Sequence, residues 1–304
     1  IYMPMIDNYT VTKLTLDSVL KNCDVPFHKF IIIASGTTNE NCLGLLKDIK
    51  SKGLNGFPTE KFYVEILSEQ EGLGFAESMN RAIDLLESDE DLFYTANNNW
   101  FSKGFMSRLQ EAVYLNTQYL AVQCRSIFWN ENQLKESYDA TVRDFLVSNP
   151  SVPMAISHIQ KFFQTTYHEL FEELVFHMTP DFCIYDHSVV EGSLGESFYL
   201  KRSCLNQVGY FDERFSRNEK GEWGGGGEEF DYENRIKLAG GLITMSLNAV
   251  YLHLAYGITS RPRHGNQFTN KYEQKWNSEK ETNRGEDYVL VKGQKKSLLH
   301  SVCV

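Results

Sequence analysis

The stretch EWGGGGEEFDYENRIKLAGG (222–241) sets four glycines in front of two carboxylates at a helix start. Glycine has no Cβ, so backbone there can approach a ligand closely or swing as a loop. The positive end of the helix dipole favours ionised Glu228 and Glu229. A carboxylate held in that place can take a proton from a hydroxyl, help that is typically worth roughly 10²–10⁴ in rate. A flexible loop followed by an acidic helix cap has the same composition, so the segment alone leaves both readings open.

The elements around it must position those groups. Up to residue 128 the chain alternates apolar strand-like runs with helical periodicity, the pattern of an α/β sheet that binds ligands at strand carboxyl ends. A short strand ending near Ile6 precedes a helix over 10–21, and FIIIAS (30–35) is a buried strand. Cys42, Leu45, Leu46 and Ile49 share a helix face, Phe62, Val64 and Ile66 alternate as in a strand, and Phe75, Met79, Ala82, Ile83 and Leu86 mark another helix. The strand DLFYTA (91–96) runs into Asn97, Asn98, Asn99 and Trp100; a further helix and the strand YLAVQC (119–124) follow. Residues 129–180 read as a largely helical insertion. From 197 a strand SFYLKRS, a turn at Gly209 and FDERF (211–215) lead to the helix after the glycine run, which stops at Gly240 and Gly241. LITMSLN and VYLHL read as two closing strands.

Composition bounds the function. A chain of 304 residues with 42% hydrophobic side chains can bury one large core or two smaller ones. A net charge of −10 opposes a broad grip on nucleic acid or anionic lipid. Residues 261–304 are the exception, with nine Lys/Arg against five Asp/Glu. The six cysteines, without CxxC or metal-finger spacing, fit reduced and mostly buried thiols. No apolar run approaches the roughly 20 residues of a membrane span, and no signal-peptide pattern is present, so the expected location is cytoplasmic. The chain opens only three residues before Pro4 in an apparent strand, which leaves room for a longer native sequence.

Several segments, in order, resemble glycosyltransferase family 2, together with galactosyltransferase and polypeptide GalNAc-transferase segments marked by a Trp-Gly-Gly-Glu-Asp type motif. MPMIDNYTVTKLTLDSVL looks like the first nucleotide-contacting loop, through Pro4 and Ile6. IIIASGTTNENCLGLL looks like the second strand, ending at Ser35. EGLGFAESMNRAI matches a helix start through Gly72, Gly74 and Asn80. GYFDERF, GGGGEEFDYENRIKLAGG and His253 reproduce the acceptor-side half. The resemblance covers about residues 1–255, and the order carries more weight than any single motif.

That resemblance implies an α/β, Rossmann-like GT-A fold: an αβα sandwich on a mixed, mainly parallel sheet. It implies a catalytic domain over 1–260, with a nucleotide-sugar half (1–128), the insertion (129–180), an acceptor half (181–260) and a tail (261–304) that covers the donor. Glu229 takes the place of the catalytic base, with Glu228 beside it; Asp231 and Arg235 match later positions of the helix. Asn97, Asn98, Trp223 and Gly227 fall at donor-contacting places, and a nucleotide-sugar donor and a hydroxyl acceptor follow as partners.

Two departures stand out. Family members carry Asp-x-Asp where this chain has Asn97–Asn99, and an amide oxygen ligates a cation without bringing charge. The alternatives are Mn²⁺ or Mg²⁺ held by the donor's diphosphate with Asn99 and His253, or metal-free stabilisation of the leaving group by Arg261, Arg263 and His264. Ala34 stands where relatives place a base-contacting Asp, which leaves UDP as a default donor nucleotide. The reading is an inverting glycosyltransferase acting on a nucleotide-diphosphate sugar; the rival is a catalytically silent sugar-nucleotide or glycan-binding module on the same fold.

Overall fold

The computed structural model describes residues 1–5, 9–68, 72–128, 189–216, 227–253 and 275–276. The first half alternates as its periodicity predicts: β1 (Tyr2–Met5), α1 (Tyr9–Asn22), β2 (Phe30–Ser35), α2 (Glu40–Lys52), β3 (Phe62–Leu67), α3 (Phe75–Asp84) and β4 (Leu92–Thr95). Then come β5 (Asn99–Phe101), α4 (Phe105–Tyr114), β6 (Tyr119–Phe128), β7 (Val189–Glu191), β8 (Ser197–Leu200), α5 (Arg202–Val208), α6 (Glu228–Leu238) and β9 (Leu242–His253). Residues 129–180, expected to form a helical insertion, lie outside the described residues.

The strands form one sheet in the order β3-β2-β1-β4-β8-β6-β9-β5, with β7 also paired to β9. Pairing is parallel from β3 to β4, while β8, β5 and β7 run against the other six strands. Strand alternation divides the core between the two faces. Met3, Met5, Phe30, Ile32 and Phe93 face α1, α2 and α4, whereas Tyr2, Ile31, Ile33, Leu92 and Tyr94 face α3, α5 and α6. Cys42, Cys124 and Cys204 are buried free thiols, as expected. Among the described residues no helix is long and apolar enough to cross a membrane.

Three local expectations need correction. SFYLKRS is strand only to Leu200; the Lys201 N–H turns to Leu120 O (3.0 Å) and a helix begins at Arg202. Asn99–Phe101, placed in no element by its sequence, pairs antiparallel with β9. LITMSLN and VYLHL are one strand, because the register against β6 jumps from Cys124↔Ser246 to Arg125↔Val250. The extra residues bulge instead of breaking the strand, with Ala249 N donating to Ser246 Oγ at 3.2 Å.

Two buried polar devices lock the second half onto this sheet. Asn80 of α3 is fully buried; its Nδ2 donates to Phe211 O and to Glu213 Oε1 (both 2.9 Å), and its Oδ1 accepts from Phe211 N (2.7 Å). The side chain is thus committed to the FDERF turn. In α6, buried Arg235 donates to Asp231 (2.9 Å), Val208 O (3.1 Å) and Tyr210 O (2.7 Å), so Asp231 and Arg235 anchor the helix. Lys275 bridges Asp212 (2.8 Å) and Asp231 (2.7 Å), and Trp276 Nε1 donates to Asp231 at 3.0 Å.

Burial pushes the Asp212 carboxyl up, but hydrogen bonds from Arg214 and the charges of Lys275 and Arg214 outweigh it and hold the group well below the ordinary carboxylate range. A depressed folded-state pKa stabilises the fold above the unfolded value, near about 3.9 for Asp, and that contribution fades as pH falls through the lower folded value. Urea midpoints of the wild type should therefore decline below about pH 4. Lys275→Met should cost about 1.5–3 kcal/mol at neutral pH, with a shallower loss on acidification; identical pH slopes in the two proteins would contradict this coupling. Asn80→Ala, which strands the Phe211 N–H and C=O, should lower stability by about 2–4 kcal/mol in urea denaturation.

Candidate functional site

Because β1, β2 and β4 are parallel neighbours, their carboxyl ends share one edge of the sheet, the edge at which open α/β sheets bind ligands. At the end of β2, Ser35 Oγ accepts from Leu73 N at 2.6 Å and fixes the loop of Gly72 and Gly74. Gly74 must be glycine: a Cβ there would lie 2.4 Å from the Cβ of Ser216. Its N–H donates to Glu77 Oε2 (2.7 Å), which closes the start of α3. Pro4 pairs with Ile33 in the middle of this edge. Asn80 lies away from it, in the core.

Beyond β4 the three asparagines have separate partners. Asn97 Nδ2 donates to Thr12 Oγ1 (2.8 Å), and the Asn98 amide meets His253 Nε2 at 3.0 Å. Asn99 is fully buried; its N–H donates to Thr15 Oγ1 (3.1 Å) and its Nδ2 to Ser197 Oγ (2.9 Å), Glu196 O (3.2 Å) and Thr95 Oγ1 (3.3 Å). A carbonyl only accepts, so the bond to Glu196 O fixes which end of the Asn99 amide is nitrogen. Register pairs Asn99 with His253 across β5 and β9, which brings residues remote in sequence side by side.

The Glu196 carboxylate touches His253 Nε2. No motif pointed to Glu196. It precedes β8 in the unremarked stretch GSLGESF, and only the β4–β8 pairing carries it beside the asparagines; Ala96 N donates to Glu196 O at 2.9 Å.

Gly227 caps α6 with φ 100°, a left-handed conformation that glycine adopts without strain. Glu228 is buried and Glu229 partly buried in the first turn. Burial pushes the Glu229 carboxyl above its ordinary range, its own backbone N–H partly offsets this, and the negative charges of Glu196 and Glu233 add to the rise. The Tyr94 phenol is pushed up as well, chiefly by burial and then by the charge of Glu229, with Glu196 also contributing. Glu229, Glu196 and Tyr94 therefore lie within electrostatic reach of one another. The structure thus gathers Asn97, Asn98, Asn99 and His253 and adds Glu196, whose charge reaches Glu229. Ile6, Trp223, Arg261, Arg263 and His264 lie outside the described residues.

Among the described residues no group of three or more His, Cys, Asp or Glu could hold a metal ion. Asn98 Oδ1 and Asn99 Oδ1, however, are buried without a hydrogen-bond partner among those residues. Unpaired buried acceptors are costly, and amide oxygens of residues that neighbour an imidazole and a carboxylate suit a divalent cation of the Mn²⁺ type. The residues present fit such an ion.

No protein-family model and no curated protein sequence matches the chain. Solved structures do. GalNAc-T7 with UDP, GalNAc and Mn²⁺ is similar over 97% of this chain and 53% of its own, at a TM-score of 0.55 and 12% identity. The mannosyltransferase PcManGT from Pyrobaculum calidifontis, in complex with GDP-Man and Mn²⁺, is similar over 87% of this chain and 57% of its own, at a TM-score of 0.48 and 13% identity. This chain spans little more than half the length of either neighbour. The mixed α/β sheet, its flanking helices and the likeness to GalNAc-T7 identify the fold as that of the GT-A glycosyltransferases.

Proposed function

We propose that this chain is a glycosyltransferase that moves a sugar from a nucleotide-diphosphate sugar, UDP-linked by default, to an acceptor hydroxyl. One observation carries the reading: Glu229, a carboxyl whose proton affinity is raised by burial, stands at the start of α6 in the field of a polar cluster at the carboxyl edge of the sheet. A raised proton affinity makes a carboxylate a stronger base.

In this mechanism the acceptor oxygen attacks the anomeric carbon as its proton passes to Glu229. The bond from that carbon to the diphosphate oxygen breaks on the opposite face, and the nucleoside diphosphate leaves with the electron pair. Configuration inverts. One base and a clamp for the leaving group suffice, unlike the two opposed carboxylates of a glycosidase. Glu228 supports the helix start.

In this reading the nucleotide lies along the edge made by Pro4, Ser35 and the loop of Gly72 and Gly74, with Asn97, Asn98 and Gly227 towards the sugar; Ile6 and Trp223 keep the donor-contacting roles that the sequence resemblance implies. Asn80 acts at a distance, by holding the FDERF turn. Mn²⁺ or Mg²⁺, held by Asn99 and His253 with the diphosphate, would supply positive charge to the leaving group when bound. The sequence offers Arg261 and Arg263 for the alternative route, in which cationic side chains rather than a metal offset the charge of the leaving diphosphate. That GalNAc-T7 was solved with UDP and Mn²⁺ supports both assignments by analogy of fold.

A thermal-shift panel of UDP, GDP, dTDP and CMP, each with Mn²⁺ and with EDTA, tests the donor: a ligand that binds only the folded state raises its melting temperature. UDP with Mn²⁺ should give the largest shift. No shift with any nucleotide in folded protein would favour the silent module, for which the asparagine triplet speaks. Glu229→Gln should lower release of the nucleoside diphosphate from its sugar by at least about 10²-fold, while nucleotide shifts stay close to wild type. Full turnover by that variant would move the base to Glu228.

A further inference from the structure

The three asparagines and His253 form a set of ligands with no negative charge. An uncharged set binds a hydrated divalent ion weakly, because removing its waters is repaid mainly by anionic oxygen. Such a set leaves the diphosphate to hold the ion almost alone. The structure brings an anionic oxygen to this place from another strand.

Glu196 stands at the turn into β8, and its main chain is tied to the asparagines by two hydrogen bonds. Its carbonyl accepts from Ala96 N (2.9 Å) and from Asn99 Nδ2 (3.2 Å). Its carboxylate reaches the same nitrogen, His253 Nε2, that Asn98 Nδ2 meets at 3.0 Å, which leaves Asn98 Oδ1 unused by that contact. The side chain of His253 is 5% exposed and that of Glu196 38% exposed. The imidazole is therefore held in the wall, while the carboxylate stays open to solvent on one side, where an ion can reach it.

The polarity of the surroundings decides between a cation and a bare phosphate. Asn98 Oδ1 and Asn99 Oδ1 are buried acceptors without a partner among the described residues, and the Glu196 carboxylate also only accepts. Acceptor oxygens repel a diphosphate and attract a cation that could stand between the two. We propose that Glu196 supplies the carboxylate ligand that the Asn97–Asn99 triplet lacks, joining His253, Asn99 and the neighbouring Asn98 amide oxygen in a site for a divalent cation of the Mn²⁺ class. The inference rests on the nucleotide-sugar reading for the role of that ion, though not for its binding.

The test is Mn²⁺ binding to the full chain, read from loss of the free-ion electron paramagnetic resonance signal, with and without UDP. Wild type should bind one Mn²⁺, more tightly with UDP. Glu196→Gln, which keeps the shape and removes the charge, should weaken Mn²⁺ binding by at least about 10-fold and leave the melting temperature in EDTA nearly unchanged. Glu196→Ala gives the same reading should the Gln variant fail to fold. Asn98→Asp, which adds a carboxylate to the same set, should tighten Mn²⁺.

Unchanged Mn²⁺ affinity in the Glu196 variants overturns the proposal, and so does a wild type that binds UDP without taking up Mn²⁺. Failure to bind any nucleoside diphosphate, while Mn²⁺ binding still depends on Glu196, would sink the donor reading and leave the cation site standing.

Discussion

Pairing of Asn99 with His253 across β5 and β9 is the constraint on which the site depends. It requires β9 to run on past its bulge, since β9 pairs first with β7 and the start of β6 and then with the end of β6 and β5. If the strand ended at Asn248, as its hydropathy pattern suggests, His253 would have no place in the sheet and the asparagines no imidazole beside them. The bulge changes the register while preserving continuity, a use of β-bulges common next to functional sites.

The proposed chemistry is divided between two regions held together by buried polar bonds. One is the sheet edge, where main-chain geometry aims Ser35, the asparagines and His253. The other is α6, which presents Glu228 and Glu229 from a left-handed glycine cap. Arg235 and Asp231 fix α6 to the turn around Gly209 and Tyr210, and Asn80 fixes the neighbouring turn to α3. Side chains that would serve a ligand in another arrangement are consumed here by the scaffold. A base must be placed to within a fraction of an ångström to act, and saturated buried polar groups give that precision because any alternative leaves them unsatisfied.

Electrostatics join the two regions. Burial raises the cost of ionising Glu229, and the negative charge of Glu196 adds to it. A cation beside Glu196 would relieve that repulsion and leave Glu229 free to act as base. In the proposed mechanism, dependence of the base on the cation would then follow from charge.

Sequence alone determined the alternation of β1 to β4 with their helices, because hydrophobic periodicity reports local burial directly. It also marked the start and stop of α6, where glycine and carboxylates leave local signatures. It left the role of Asn80 open to misreading, since a buried clamp and a ligand contact use the same amide. Nothing local marked Glu196 or joined the two halves of β9: a bulge has no period, and a residue at a strand start has no partner until another strand lies alongside. Those choices belonged to the tertiary structure, because antiparallel pairing of β4 with β8, and of β5 with β9, is what brings distant polar groups within a hydrogen bond of one another.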